Sequence, residues 1–229
     1  MKYKNICEGR FISRPNRFIA MVDIDGIIET VHVKNTGRCK ELLVPDCRVI
    51  LERSSNPSRK TKYDLIAVYK QSGDKQTLIN MDSQAPNVAV GQWICGGLFS
   101  KDAKAKREIT YKNSRFDFYV EDGARKAFIE VKGVTLENNR IAMFPDAPTE
   151  RGVKHIRELA ECLKEGYEAY ILFVIQMKGV DILCPNDITH KAFGDALRQA
   201  NKDGVEVIAV DCIVAPDEMN IDRFVDVQL

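Results

Sequence analysis

Three residues within a short stretch of chain combine two carboxylates with an ammonium: Asp117 in SRFDFYV, and Glu130 and Lys132 in FIEVKGV. Two neighbouring carboxylates repel each other and resist joint ionisation unless a cation neutralises them. Mg²⁺, or Mn²⁺ in its place, suits such a pair, because a hard ion prefers oxygen ligands and Mg²⁺ keeps several of its waters. Held there, it polarises a phosphoryl oxygen and helps generate hydroxide. An ammonium two residues past the glutamate is placed to orient that water or to stabilise developing phosphate charge. The chemistry expected is metal-dependent cleavage of a phosphodiester, with Asp117, Glu130 and Lys132 catalytic. Glu108 is a candidate third ligand beside Asp117 and Glu130. The competing reading is a solvated sheet face with an ordinary ion pair, since E-V-K alone occurs by chance.

Two alternating segments must position these groups. Ser114–Val120 and Lys126–Val134 read as strands joined by the turn Glu121–Ala124. Phe116, Phe118 and Val120 share one face of the first, and Ala127, Ile129 and Val131 one face of the second. Matching the apolar sets pairs Phe116 with Ile129 and places Asp117 diagonal to Glu130; a slip of two residues puts them directly opposite. Either register brings the carboxylates within reach of one ion. After a strand at Arg140–Phe144, Thr149 is placed to cap a helix running through Glu165 and ended by Gly166. Arg151 and His155 lie one turn apart on that helix, off its apolar face, as candidate phosphate contacts.

The rest of the chain has two grammars. From Gly9 to about Asn80, six short apolar runs alternate with turn residues, and Asp25-Gly26 is a strong two-residue hairpin signal. That pattern predicts a small closed barrel of the five-stranded OB type over residues 1–82. Residues 83–229 read as a mixed α/β sheet domain. It has a weak, glycine-interrupted helix over Val88–Lys106, the strands above, and a doubly buried strand at Ala169–Met177. A helix at about Ile188–Asn201 and a last strand at Val205–Val214 complete it.

With 34 Lys and Arg against 33 Asp and Glu, the net charge is only +1, so nucleic-acid binding must come from local basic patches. Three clusters offer them: Arg14 and Arg17; Arg53, Arg59, Lys60 and Lys62; and Lys101, Lys104, Lys106 and Arg107. Seven cysteines without a C-x-x-C pair, and no signal peptide or long apolar stretch, point to reduced thiols in the cytoplasm and no membrane association. Three scattered histidines make a histidine metal cluster hard to build. No phosphate-binding glycine loop, nucleophile elbow or H-E-x-x-H motif is present.

SRFDFYV, FIEVKGVTL and FPDAPTERGVKHIREL, with GRFISRPNRF, the stretch from His32 to Gly37 and Asn56–Lys60, resemble the sugar fermentation stimulation protein family. The resemblance covers almost the whole chain. It implies an OB domain followed by a restriction-endonuclease-like domain, with the acidic pattern of that superfamily falling on Glu108, Asp117, Glu130 and Lys132. It further implies DNA binding without marked sequence preference and a regulatory role in sugar (maltose) metabolism. His32 and Asn35 enter as candidate DNA contacts on the same ground, although Val33-Lys34 stands where the family pattern has Cys-Pro. Two rivals remain beside a nuclease: a non-catalytic DNA-binding regulator that keeps the nuclease fold, and a protein- or metabolite-binding module.

Overall fold

A computed structural model of the chain describes residues 1–35 and 37–229. Six strands form the first half: β1 (Ile6–Asn16), β2 (Ile19–Ile24), β3 (Ile27–Val33), β4 (Arg48–Arg53), β5 (Tyr63–Ser72) and β6 (Lys75–Asn80). They pair in the order β3-β2-β1-β4-β5-β6, and a parallel contact of His32 and Val33 with Asp64 and Leu65 closes the first five into a ring. The five-stranded OB-type barrel is therefore present, and β6 extends it along the second half of β5. Asp25 and Gly26 both take positive φ (52° and 82°), as the two-residue turn between β2 and β3 requires. Alternate residues such as Ala20, Val22, Val31, Val33, Val49 and Leu51 point inward and fill the core.

The second half consists of α1 (Ala85–Gly97), β7 (Lys104–Tyr111), β8 (Ser114–Asp122), β9 (Arg125–Val134), β10 (Glu137–Asn138) and β11 (Ile141–Phe144), followed by α2 (Glu150–Lys164), β12 (Glu168–Ile175), β13 (Ile182–Pro185), α3 (Asp187–Asp203), β14 (Glu206–Ala215) and β15 (Glu218–Val227). The nine strands join in the order β10-β11-β13-β15-β14-β12-β9-β8-β7, with β9, β12 and β14 parallel at the centre. On β9, Ala127, Ile129 and Val131 pack with the buried residues of α1, and Phe128 and Val134 pack with those of α2. A sheet covered on both faces explains why Ala169–Ile175 of β12 is buried without a break.

Several boundaries differ from the sequence expectation, each for a local reason. The helix expected over Val88–Lys106 begins earlier, with Pro86 in its first turn, and breaks where Cys95 and Gly96 leave helical geometry. Lys104, Lys106 and Arg107 belong instead to β7, an exposed edge strand whose hydrogen bonds to β8 outweigh its helix-compatible composition. Strand β7 is dominated by charged residues and β13 is four residues long and closed by Pro185, so neither announces itself in sequence. The N-terminal cap of α2 follows expectation, and α3 ends on a glycine. Thr149 Oγ1 accepts the N–H of Gly152 at 3.1 Å, and Gly204 ends α3 with φ 108°. Among the described residues no helix is long and apolar enough to cross a membrane.

A buried polar knot ties the barrel to the sheet. Asp82, fully buried, accepts from Lys34 Nζ at 2.6 Å, from the Tyr3 hydroxyl at 3.3 Å and from the backbone N–H of Gln84 at 2.9 Å. Gln176, at the end of β12, donates its amide nitrogen to Asn80 Oδ1 and to the carbonyls of Asn80 and Asp82, all within 3.1 Å. Every donor in this knot meets an acceptor, which makes the junction specific as well as rigid.

Candidate active site

The β8–β9 hairpin adopts the slipped register. Phe118 pairs with Ile129, Val120 with Ala127 and Asp122 with Arg125, so the turn is Gly123-Ala124. Extended by one residue, that register sets Asp117 across from Glu130. The ladder stops before reaching them. Beyond Phe118 the backbone N–H of Val131 donates to Asp117 Oδ2 at 2.8 Å rather than to a carbonyl. Across β8 on the other side, Glu108 of β7 takes a left-handed φ of 54°, so both strands are distorted at one rung. The strand also changes face here. Phe118 packs in the α1 cluster, whereas Phe116 lies against Phe128 and His155 on the α2 side. The expectation that Phe116, Phe118 and Val120 share a face therefore fails at Phe116, because the pleat is broken at Asp117.

Asp117 and Glu130 are held from opposite layers. Asn87, in the first turn of α1, donates Nδ2 to Asp117 Oδ1 at 2.8 Å. Burial and then the charge of Glu130 push the Asp117 carboxyl above the ordinary value of 3.8. Glu130 Oε1 accepts from Lys132 Nζ and lies against His155 Nδ1, each at 2.5 Å. Burial raises the Glu130 carboxyl, but the bonds from His155 and Lys132 outweigh it, so it sits below 4.5 and is ionised at neutral pH. With a proton on Nδ1, His155 presents Nε2 as the acceptor for Arg151 Nε at 3.3 Å. Among these site residues two buried oxygens stay without a donor, Glu130 Oε2 and Asn87 Oδ1. Unmatched buried acceptors are costly in a folded protein.

The other expected residues divide into gathered and dispersed. Glu108 does not join the site; its side chain is 65% exposed and lies 3.6 Å from Arg115. Among the described residues no group of three or more His, Cys, Asp or Glu is assembled that could hold a metal, so the triple of Glu108, Asp117 and Glu130 is not formed. His155 is buried against Glu130 and does not face outward as a phosphate contact, while Arg151 is exposed. Lys132 is where the sequence put it.

On the barrel, Arg14 is consumed by structure: its two terminal nitrogens donate to the carbonyls of Arg17, Asn35, Gly37 and Arg38. Arg59 makes a two-pronged pair with Asp64, which also binds His32 Nδ1 at 2.8 Å. Lys62 pairs with Glu29 at 2.9 Å. Asn35 Oδ1 accepts the Gly37 N–H at 2.8 Å. Arg17, Arg53 and Lys60 of the expected barrel cations are exposed without an ion pair among the described residues. Arg38 and Lys40, which the sequence reading overlooked, are also exposed and line a groove with Arg17.

Asn87 is the other omission. Its one detectable signal was a polar, weakly helix-forming residue in the first turn of a helix without serving as the cap.

Comparison with known proteins supplies the family. Residues 84–218 match the family model described as the sugar fermentation stimulation protein RE domain, and residues 12–81 the SfsA N-terminal OB domain. The chain belongs to the sugar fermentation stimulation protein family. Proteins described as sugar fermentation stimulation protein homologs in Clostridium beijerinckii and Ruminiclostridium cellulolyticum are 60% and 59% identical, with both chains covered end to end. A solved structure of Pyrococcus furiosus SfsA in complex with Ca²⁺ superposes with a TM-score of 0.87 at 25% identity, covering 100% of this chain and 98% of that one. Family membership accounts for both domains and their order.

Proposed function

We propose that the protein is a divalent-cation-dependent phosphodiesterase acting on DNA, in the cytoplasm, with Asp117, Glu130 and Lys132 as its catalytic set. The observation that carries this reading is the pair of buried oxygens, Glu130 Oε2 and Asn87 Oδ1, that have no donor beside two carboxylates already crowding each other's charge. Oxygen acceptors without protons are what a hard cation needs. Asp117, Glu130 and the amide oxygen of Asn87 would hold Mg²⁺ or Mn²⁺, and Asn87 takes the place expected of Glu108. When bound, the ion supplies positive charge to a phosphoryl oxygen and acidifies water. The Ca²⁺ bound by the related archaeal protein supports a divalent ion for this chain too.

The remaining roles fall to groups of the chain. His155 fixes the rotamer of Glu130, and Arg151 fixes the tautomer of His155. Lys132 shares Glu130 Oε1 with His155, so it can turn toward a phosphate oxygen without leaving that carboxylate bare. Arg17, Arg38, Lys40 and Lys60 supply phosphate contacts on the barrel.

The test is cleavage of single-stranded, duplex and supercoiled DNA, and of RNA, with Mg²⁺ or Mn²⁺. Asp117→Ala with Glu130→Ala is expected to lower turnover by at least about 10²-fold. Turnover that survives the double change removes this assignment.

One observation favours a second reading. Glu130 Oε1 is already matched by both Lys132 and His155, a balanced state that a binding platform would keep without turnover. A non-catalytic regulator of sugar (maltose) metabolism would bind DNA with affinity falling steeply as salt rises, and would cleave nothing under any metal condition.

A further inference from the structure

Between the barrel and the sheet lies a cleft of about 310 Å³ beside the acidic site, within the size range of small-molecule pockets. One wall is the stretch Gly133–Leu136, which follows directly on Lys132 along β9 and its extension. Asn35, Gly37 and Ser83 line it from the barrel and the linker, and Met143–Thr149 line it from the end of β11 and the loop that leads into α2. The carboxyl ends of parallel strands are where open α/β sheets take their ligands, and β9, β11 and β12 all end here.

Of the polar side chains lining the cleft, Gln176 and Asp146 offer acceptors alone, beside the amide of Asn35 and the hydroxyls of Ser83, Thr135 and Thr149. Gln176 is 2% exposed, and its nitrogen is held by three carbonyl-type oxygens, which fixes its amide the other way round with Oε1 toward the Gly133 wall. No donor among the described residues reaches that Oε1. A Cβ at position 133 would stand 2.5 Å from it, so only glycine leaves the oxygen uncovered. Asp146 adds an exposed carboxylate that has no ion pair among the described residues. No lysine, arginine or histidine lines the cleft. Phosphate is therefore a poor occupant, while a flat ligand bearing N–H donors fits, with Phe144, Pro145 and Pro148 offering apolar faces.

The adjoining groove has the opposite character. It shares Gly37 and Ala147 with the cleft, and it is lined by Arg17, Arg38 and Lys40. An acceptor-lined slot that opens onto a cationic ledge matches one nucleotide, with its base in the slot and its phosphates on the ledge.

We propose that the interdomain cleft is a pocket for a single unstacked nucleobase carrying an exocyclic amino group, read by Gln176 Oε1 and Asp146. The proposal rests on the nucleic-acid reading above and deepens it. The preferred substrate is unpaired or easily opened, and thymine and uracil are disfavoured because they lack the amino group.

The experiment uses the full chain with Ca²⁺ and a single-stranded thymidine oligonucleotide carrying one central adenine, or an abasic site in its place. Adenine is expected to tighten binding roughly tenfold over the abasic strand, the worth of one charge-assisted hydrogen bond. Asp146→Asn, and independently Ala147→Phe, which fills the mouth, are expected to bring that ratio close to one. Equal affinity of the wild-type chain for the two strands overturns the pocket and leaves the nucleic-acid reading standing. Free adenosine that binds with no affinity for either strand, and is lost in Ala147→Phe, keeps the pocket and removes that reading. Absence of both strand and adenosine binding in the wild-type chain overturns both, and a cleft filled by maltose in preference to adenosine overturns the pocket alone.

Discussion

Asp64 in the barrel and Glu130 in the second domain are both buried carboxylates with cationic neighbours, yet their oxygens are occupied differently. Asp64 receives Arg59 on both oxygens and His32 on one of them. Burial pushes its carboxyl up, but Arg59 and His32 outweigh burial and hold it below the ordinary 3.8. Glu130 carries two partners on Oε1 and none on Oε2, and its neighbour Asp117 is pushed up instead. The first arrangement is complete within the chain and works as a clasp, fastening β5 to β3 where the barrel closes. The second leaves one buried oxygen without a partner among the described residues. The two carboxylates differ in how far the chain itself saturates them, and the difference can be measured.

The clasp should show its role in stability. Asp64→Ala leaves Arg59 and His32 facing a cavity, and is expected to destabilise the fold by roughly 2–3 kcal/mol. That is less than the roughly 3–5 kcal/mol of a fully buried pair, because the Arg59 and His32 side chains are 31% and 36% exposed. Denaturant midpoints with unchanged slope are the measurement. A midpoint equal to wild type would dissolve the contrast from the barrel side.

The unsaturated cluster should respond to a cation where the clasp does not. Mg²⁺ or Mn²⁺ at a hundred times its dissociation constant is expected to stabilise the wild-type chain by about 2.7 kcal/mol. Asp117→Asn should lose that gain, and Asp64→Ala should keep it on its lower baseline. Thermal scans with and without metal decide the matter. An equal gain in wild type and Asp117→Asn would place the ion elsewhere.

How much of this contrast was legible beforehand depends on the kind of signal each residue leaves. Alternation along β9 was enough to put Glu130 and Lys132 on one face, because a strand's period of two is set by the backbone alone, but it did not show that β8 breaks its pleat at Asp117. The barrel and the Thr149 cap of α2 were legible for the same reason: turn chemistry and capping are local. Contacts made across the fold were not. His155 reaches Glu130 only because α2 packs over β9, and Asn87 reaches Asp117 only because α1 covers the other face. Neither relation leaves a fixed spacing in the chain. Glu108 was misplaced because the stretch before it reads as helix in isolation, and pairing with β8 turned it into an edge strand. Arg14 and Arg59 looked like free cations since a sequence does not show which carbonyl or carboxylate will take them up.

Removing charge from the site without removing its shape should stabilise it. Asn at position 117 can still accept from Val131 N–H, and it relieves the repulsion with Glu130 that helps raise the Asp117 carboxyl. Asp117→Asn is therefore expected to gain about 0.5–1 kcal/mol without metal, while losing turnover, the trade common at functional sites. A loss of stability of the same size would mean that the carboxylate is structural after all.

The smallest effect is the most diagnostic, because the two carboxylates should bend the pH dependence of stability in opposite directions. For Asp64 the folded-state pKa lies below 3.8, so its contribution is present above that value and fades as pH falls through the folded-state pKa. For Asp117 the folded-state pKa lies above 3.8, so the folded chain binds the extra proton first. Its ionisation penalty is complete at neutral pH and is relieved as pH falls toward 3.8. The advantage of Asp117→Asn over wild type should accordingly shrink across that interval, whereas the deficit of Asp64→Ala should hold until the acid limit. Unfolding curves for the three chains from neutral pH to just above 3.8 separate the two slopes. An advantage of Asp117→Asn that stays constant with pH would show that its carboxylate is not strained by Glu130, and would take the unsaturated cluster back to an ordinary ion pair.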